Sequence, residues 1–144
     1  MNENKNIQNK YSFTKKIIPI KQYQDLNNKH IKDLIFKENK NMSGIYKWTN
    51  LINGKIYIGS SINLSKRFFL YYNNNLLIKS KMLINRAILK YGHTNFSLEI
   101  IEYCSYEDII KREQYYLDLL KPEYNTLKIA SSSYGYKHNK NKNK

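Results

Sequence analysis

SGIYKWTNLINGKIYIG, residues 43–59, is the stretch that decides the fold. Two runs rich in β-branched and aromatic residues, Gly44 to Thr49 and Lys55 to Gly59, flank the dipeptide Asn53-Gly54. Asn-Gly between such runs is the strongest short hairpin signal, because both residues tolerate the left-handed backbone of a tight turn. With a two-residue loop, Ile52 pairs with Lys55 and Tyr57 sits opposite Asn50. Gly44, Tyr46, Trp48 and Asn50 then share one face by the period of two, and Tyr57 joins them. Gly44 and Gly59 leave space beside the two tyrosines, while Ile45, Ile56 and Ile58 face the other way. Two readings of Tyr46 and Tyr57 stand at this point. They are amphipathic core residues in a chain with 14 tyrosines, or a pair of phenols brought together for chemistry.

Working outward, Asn63 caps a helix that runs to about Tyr72. Arg67 and Tyr71 are one turn apart on it, and Leu64 lies one turn before Arg67, so a guanidinium and a phenol share a face with an apolar residue. A polar gap, Asn73 to Asn75, follows. Ser80 is placed to cap a second helix with Leu83, Ile84, Ala87, Ile88 and Tyr91 on one stripe and Gly92 at its stop. Phe96, Leu98 and Ile100 alternate as a third strand. Ser105 and Asp108 form a capping-box pattern that opens a third helix, and Pro122 ends it. Strand, strand, helix, helix, strand, helix gives a small mixed α/β sheet flanked by helices. Residues 1–42 read as an extended leader with Ile17, Ile18 and Ile20 as an apolar anchor and a short helix from Asp25 to Phe36, leaning on a main domain over 43–134. Residues 135–144 read as a basic disordered tail, alternating Asn and Lys almost without apolar residues from Lys137 to Lys144. Tyr134-Gly135-Tyr136 at its start is an anchor for that tail or a stacking site for bases.

The third helix carries the most telling residue. At about 100° per residue, Ile109 and Leu117 fall about 40° either side of Glu113, and Tyr106 and Leu120 fall within about 20°. Glu107, Asp108 and Asp118 lie on the far side. A carboxylate in the middle of an apolar stripe is costly unless it is paired or binds a metal. Glu113 is therefore a partner in a buried ion pair, or a metal-binding or catalytic group.

Composition bounds the function. The chain has 144 residues, 25 basic against 11 acidic, for a net charge of +14, and 41% hydrophobic residues. That supports one domain with a core and an acidic partner. Heavy use of Asn, Ile, Lys and Tyr is the signature of A/T-rich codons, so the lysines are compositionally cheap. The three arginines, Arg67, Arg86 and Arg112, carry more information. The single cysteine, Cys104, rules out an internal disulfide and a cysteine-based zinc or iron–sulfur site. No apolar run reaches membrane-spanning length, so no membrane partner is expected. The first ten residues are Asn- and Lys-rich, unlike a secretory or transit peptide. His30, His93 and His138 have no ligand spacing.

Gly44-Ile45-Tyr46 and Tyr57-Ile58-Gly59, followed by Ser60-Ser61, Asn63-Leu64-Ser65-Lys66-Arg67, Lys90-Tyr91-Gly92, Asn95-Phe96, Arg112-Glu113-Gln114-Tyr115-Tyr116 and Pro122-Glu123-Tyr124-Asn125, together resemble the GIY-YIG nucleases. The resemblance is to the group I intron-encoded homing endonucleases of fungal mitochondria, and it runs from about Ser43 to Tyr136. It implies a small α+β domain with a three-stranded, mainly antiparallel sheet. It also implies hydrolysis of DNA phosphodiesters with one divalent ion, Mg²⁺ or Mn²⁺, in a protein acting in mitochondria. By motif position, Glu113 holds the metal and Arg67 stabilises charge on the scissile phosphate. Tyr57 or Tyr46 positions or deprotonates the attacking water, and Asn125 completes a hydrogen-bonded site. Gly44 and Gly59 serve the backbone geometry near it. Some members carry His four residues after the arginine, where this chain has Tyr71, which joins the candidates for acid–base work. A further histidine of some relatives is replaced by Lys79 or a neighbour. An unperturbed tyrosine is a poor base and needs a positive charge beside it, for which Lys55 or Lys66 is available. Lys55, Lys66, Lys79, Arg86 and Lys137 are the candidate DNA contacts. The expectation is a monomeric endonuclease on double-stranded DNA, or the catalytic part of one with its DNA-recognition region truncated. The alternative is a non-catalytic nucleic-acid-binding protein: a decayed nuclease, or a splicing helper that binds intron RNA.

Overall fold

The computed structural model describes residues 17–126; the expectations for Lys137, for Tyr134-Gly135-Tyr136 and for the basic tail lie outside them. The elements are β1 (Lys21–Tyr23), α1 (Lys29–Glu38), β2 (Gly44–Asn50), β3 (Ile56–Ser61), α2 (Leu64–Tyr71), α3 (Asn74–Lys79), α4 (Leu83–Tyr91), β4 (Phe96–Tyr103) and α5 (Ile109–Leu120). The strands form one antiparallel sheet in the order β1-β4-β2-β3. The sheet therefore has four strands rather than three. The extra one comes from the leader: three residues with no strand pattern of their own pair with the outer side of β4, Lys21 opposite Ile100 and Tyr23 opposite Leu98.

Asparagine sets many of the boundaries. The side chains of Asn28, Asn63 and Asn73 each accept a backbone N–H at the start of α1, α2 and α3. Asp25 sits in the left-handed region and Asn28 caps, so α1 starts later than the periodicity alone suggests. The polar gap after α2 is itself a short helix, α3, because Asn73 supplies a cap to Leu76. Ser80 does not cap α4; its hydroxyl closes the α3–α4 turn by accepting from the Met82 N–H and the Asn85 amide. Gly92, with φ of 84°, ends α4 as expected. Ser105 does bond Asp108, but side chain to side chain across a short 3₁₀ turn, so α5 begins only at Ile109.

The hairpin register is displaced by two residues. Trp48, not Asn50, faces Tyr57, and Tyr46 faces Gly59. Asn50 builds a wider turn: its Oδ1 accepts from the Ile52 and Asn53 N–H groups, and its carbonyl accepts from Gly54. An even displacement preserves the faces, so Tyr46, Trp48 and Tyr57 still share one.

That face, with Phe96, Leu98 and Ile100 of β4, packs under α1 to α4. Trp48, Tyr46, Phe68, Leu26, Ile35, Leu64, Ile84 and Ile88 are among its fully buried side chains. The opposite face carries a thinner core in which Ile45, Ile58 and Ile101 meet Tyr116 and Leu117 of α5. A bulge opposite Ile45/Tyr46 points Ile101 and Glu102 together toward α5. Two leader residues, Leu26 and Ile35, are wholly buried in the larger core, so the described part of the leader that carries them packs with the rest as one body. Asn39 ties its end: it is buried, donates to Tyr23 and to the Ile35 carbonyl, and accepts from Tyr103.

Candidate active site

The outer edge of β3 gathers the candidate residues. From the larger core comes an aromatic group. The Tyr46 ring meets Phe68 edge-on at 5.1 Å, Tyr71 at 6.0 Å and Tyr57 at 6.3 Å between centroids. The Tyr46 and Tyr71 hydroxyls are hydrogen-bonded at 2.8 Å. Gly59 makes this possible, since a Cβ there would come within 2.5 Å of the Tyr46 ring and hydroxyl. Gly44 has a different reason. A side chain at Gly44 would strike the Glu102 carbonyl of β4, so its lack of one serves strand pairing and not the tyrosines.

Arg67 is held against these phenols by α2, whose Leu64, Phe68 and Tyr71 are buried. Burial pushes the Tyr46, Tyr57 and Tyr71 phenols up, and the Arg67 charge pulls each of them back. Arg67 is held more firmly protonated, first by Tyr46, with Tyr71, Tyr57 and Glu113 adding and burial opposing. The positive charge beside the phenols is thus Arg67; Lys55 and Lys66 are exposed elsewhere. Of the three phenols Tyr57 is the least buried, whereas Tyr46 and Tyr71 are 1% and 5% exposed. His93 braces the group: its Nε2 lies 2.8 Å from the Tyr71 carbonyl and its ring stacks on Tyr72 at 4.7 Å.

Glu113 reaches the same edge from the opposite face. Ile109, Tyr116 and Leu117 seat α5 on the thinner core and leave Glu113 half-buried over β3. Tyr106 does not line the stripe, because it belongs to the 3₁₀ turn and is 49% exposed. Burial raises the Glu113 carboxyl, while the Ser60 hydroxyl bonded to its Oε1 and the charge of Arg67 lower it. The sequence places Ser60 only within the Ser60-Ser61 run and gives it no role. The period of two held the signal: Ile56, Ile58 and Ser60 share the face that α5 covers.

Asn125 does not point into this cluster. Its Oδ1 accepts from the Ile58 N–H at 2.9 Å and its Nδ2 donates to the Ile58 carbonyl at 2.8 Å. With the Tyr124 N–H on the Ile56 carbonyl and the Glu123 carboxylate on the Ile56 N–H, it finishes the outer edge of β3 up to the site. Lys79 joins Arg67, Tyr71, Ser80 and Asn85 along a cleft of about 330 Å³. Lys66 is exposed on α2, and Lys55 and Arg86 line a separate groove. Arg112 is engaged elsewhere, donating from Nε and Nη2 to both oxygens of Glu102 at 2.8–3.0 Å, with the Tyr116 hydroxyl also on Glu102.

The donor set suits a hard divalent cation. Glu113 is one oxygen-donor carboxylate, and among the described residues no group of three or more His, Cys, Asp and Glu side chains converges. Magnesium-type ions bind through one or two carboxylates and complete their shell with water and substrate phosphate.

The family model described as GIY-YIG catalytic domain matches residues 42–127. The chain is 32% identical over 130 residues to the probable intron-encoded endonuclease bI1 of Neurospora crassa, covering 85% of this chain and 29% of that protein. It is 36% identical over 134 residues to the probable intron-encoded endonuclease 1 of the same fungus, covering 84% and 42%. Intron-associated endonuclease 1 of Enterobacteria phage T4 is 31% identical over 96 residues, covering 65% and 39%. The chain thus spans less than half the length of these relatives. A solved structure of the catalytic domain of intron endonuclease I-TevI, in mutant form, superposes with a TM-score of 0.52 at 28% identity, covering 60% of this chain and 95% of that one.

Proposed function

This chain belongs to the GIY-YIG catalytic-domain family, a family of nucleases, and from that premise we propose that it is the cutting domain of an intron-encoded homing endonuclease that hydrolyses phosphodiesters of double-stranded DNA. One observation carries the reading. Arg67 with three phenols from one face of the sheet, and Glu113 from the other, meet at the outer edge of β3 without forming an ion pair.

In this mechanism the Arg67 guanidinium takes two phosphate oxygens in its planar fork, which matches their geometry. The charge that grows on those oxygens as water adds and the P–O bond breaks is met by a cation already in place. Tyr57, the most accessible phenol, holds the attacking water at its Oη. Burial keeps that phenol neutral, so it holds the water as a hydrogen-bond partner, and Arg67 offsets part of the effect of burial. Tyr46 and Tyr71, bonded to each other, fix the position of Arg67 and Tyr57. Glu113 holds one Mg²⁺ or Mn²⁺, with Ser60 orienting the carboxylate. Such an ion polarises phosphate oxygens and lowers the pKa of bound water. Asn125 is a positioning residue that acts through Ile58. The chain works as a monomer in an A/T-rich organelle genome, the mitochondrial one, as its composition and its intron-encoded relatives suggest.

The test is Mg²⁺-dependent cleavage of supercoiled A/T-rich DNA at low salt by the wild type and by Glu113→Gln. Cleavage by the wild type alone, with DNA binding kept in both, is the expected result. Cleavage that survives in Glu113→Gln removes the carboxylate from its role.

A further inference from the structure

Of the three arginines, Arg67 belongs to the site and Arg112 clamps Glu102, but Arg86 stands exposed without a carboxylate partner among the described residues. It lines a groove of about 450 Å³ with Lys55 of the hairpin turn, Lys90 at the end of α4, Asn53, Tyr91 and Tyr124. No acidic residue lines this groove, and no ion pair among the described residues uses any of its three cations. Three like charges, one from the hairpin turn and two a turn apart on α4, repel one another across a concave surface and favour an anion there. Lysine is abundant in this chain, so two lysines alone say little; an arginine among only three says more.

The groove lies next to the cleft that Arg67 lines. Leu77 of α3 lines both, so the two cavities lie on either side of α3. The groove's tyrosines are already engaged by neighbouring polar groups. The Tyr124 hydroxyl accepts from the Asn50 and Asn53 amides, and the Lys90 ammonium covers the Tyr91 ring at 5.2 Å. Single-stranded nucleic acid is gripped through open aromatic faces, whereas a duplex is gripped through its phosphates.

We infer that Lys55, Arg86 and Lys90 form a second anchoring surface that binds the phosphate backbone of duplex DNA flanking the cut, independently of sequence. This rests on the DNA-cleaving function proposed above. The experiment compares Lys55→Gln/Arg86→Gln/Lys90→Gln with a charge-matched control, Lys29→Gln/Lys37→Gln/Lys40→Gln, all at exposed positions. Binding to an A/T-rich duplex is measured without divalent metal from 50 to 200 mM salt, alongside single-turnover cleavage of bound DNA in Mg²⁺. The groove variant is expected to bind more weakly and to lose about 2 to 3 from the slope of log affinity against log salt, while the control keeps more of both. The loss falls on binding and not on the rate of cutting bound DNA. Equal slopes in the two triple variants, with a wild type that binds and cuts, overturn the groove and leave the nuclease reading intact. A wild type that neither binds nor cuts duplex DNA overturns both. A groove variant that loses affinity only for single-stranded RNA overturns the choice of duplex DNA as occupant.

Discussion

Two arginine–carboxylate combinations lie close to α5, and they are built in opposite ways. Arg112 and Glu102 are closed: the guanidinium spans both carboxylate oxygens, and the Tyr116 hydroxyl fills a remaining acceptor site. Arg67 and Glu113 are open: each shifts the other's ionisation, yet no bond joins them, and they enter from opposite faces of the sheet. The closed pair ties α5 to β4. The open pair is held apart by the strand between its members, so neither group is neutralised by the other; in the proposed function one takes a phosphate and the other a cation. Both use the same two chemical groups; what separates clamp from site is whether their hydrogen-bonding capacity is spent inside the protein.

The sharpest way to break this contrast is Arg67→Ala, expected to lower cleavage by about 10²–10³-fold with the fold kept; near wild-type turnover would make the open pair structural after all. Arg67→Lys keeps the charge without the fork and is expected to recover only part of that loss in the same assay. Ser60→Ala removes a hydrogen bond that lowers the Glu113 carboxyl, so the carboxyl rises further and the acidic limb of kcat/KM against pH moves to higher pH; an unmoved limb would free Ser60 of that task. Arg112→Ala, at a partly exposed pair, is expected to cost about 1 kcal/mol in denaturant unfolding and to leave the shape of the pH–rate profile alone. The Arg112 hydrogen bonds hold the Glu102 carboxyl below its usual range. Their contribution is therefore present above the ordinary carboxylate pKa and is lost as pH falls through the lowered one. The stability of Arg112→Ala is accordingly expected to fall less in acid than that of the wild type.

Much of the site was legible because it rests on local rules. Period-two alternation put Tyr46 and Tyr57 on one face, and an even displacement of register left them there. The helical wheel isolated Glu113 from the other acids, and the cap at Asn63 fixed the phase of Arg67 and Tyr71. What was not legible depends on distant segments. Lys21–Tyr23 becomes a strand only because β4 offers it an edge. The wider hairpin turn depends on where the Asn50 side chain points, and the task of Asn125 on a backbone more than sixty residues away. Sequence proximity offers Lys55 and Lys66 as neighbours of the phenols, but in the fold α2 places Arg67 there.

The strand contributed by the leader also decides where this cutting module can be severed for use in fusion enzymes. The match to the family's catalytic-domain model starts at Met42, yet a transplant beginning there would strip Tyr23, Leu26 and Ile35 from the larger core. It would also leave the backbone of β4 bare along one side, the kind of edge through which sheets from separate molecules join. A fusion partner attached ahead of residue 17 keeps that side sealed; one attached at residue 42 replaces an internal seam with a sticky one.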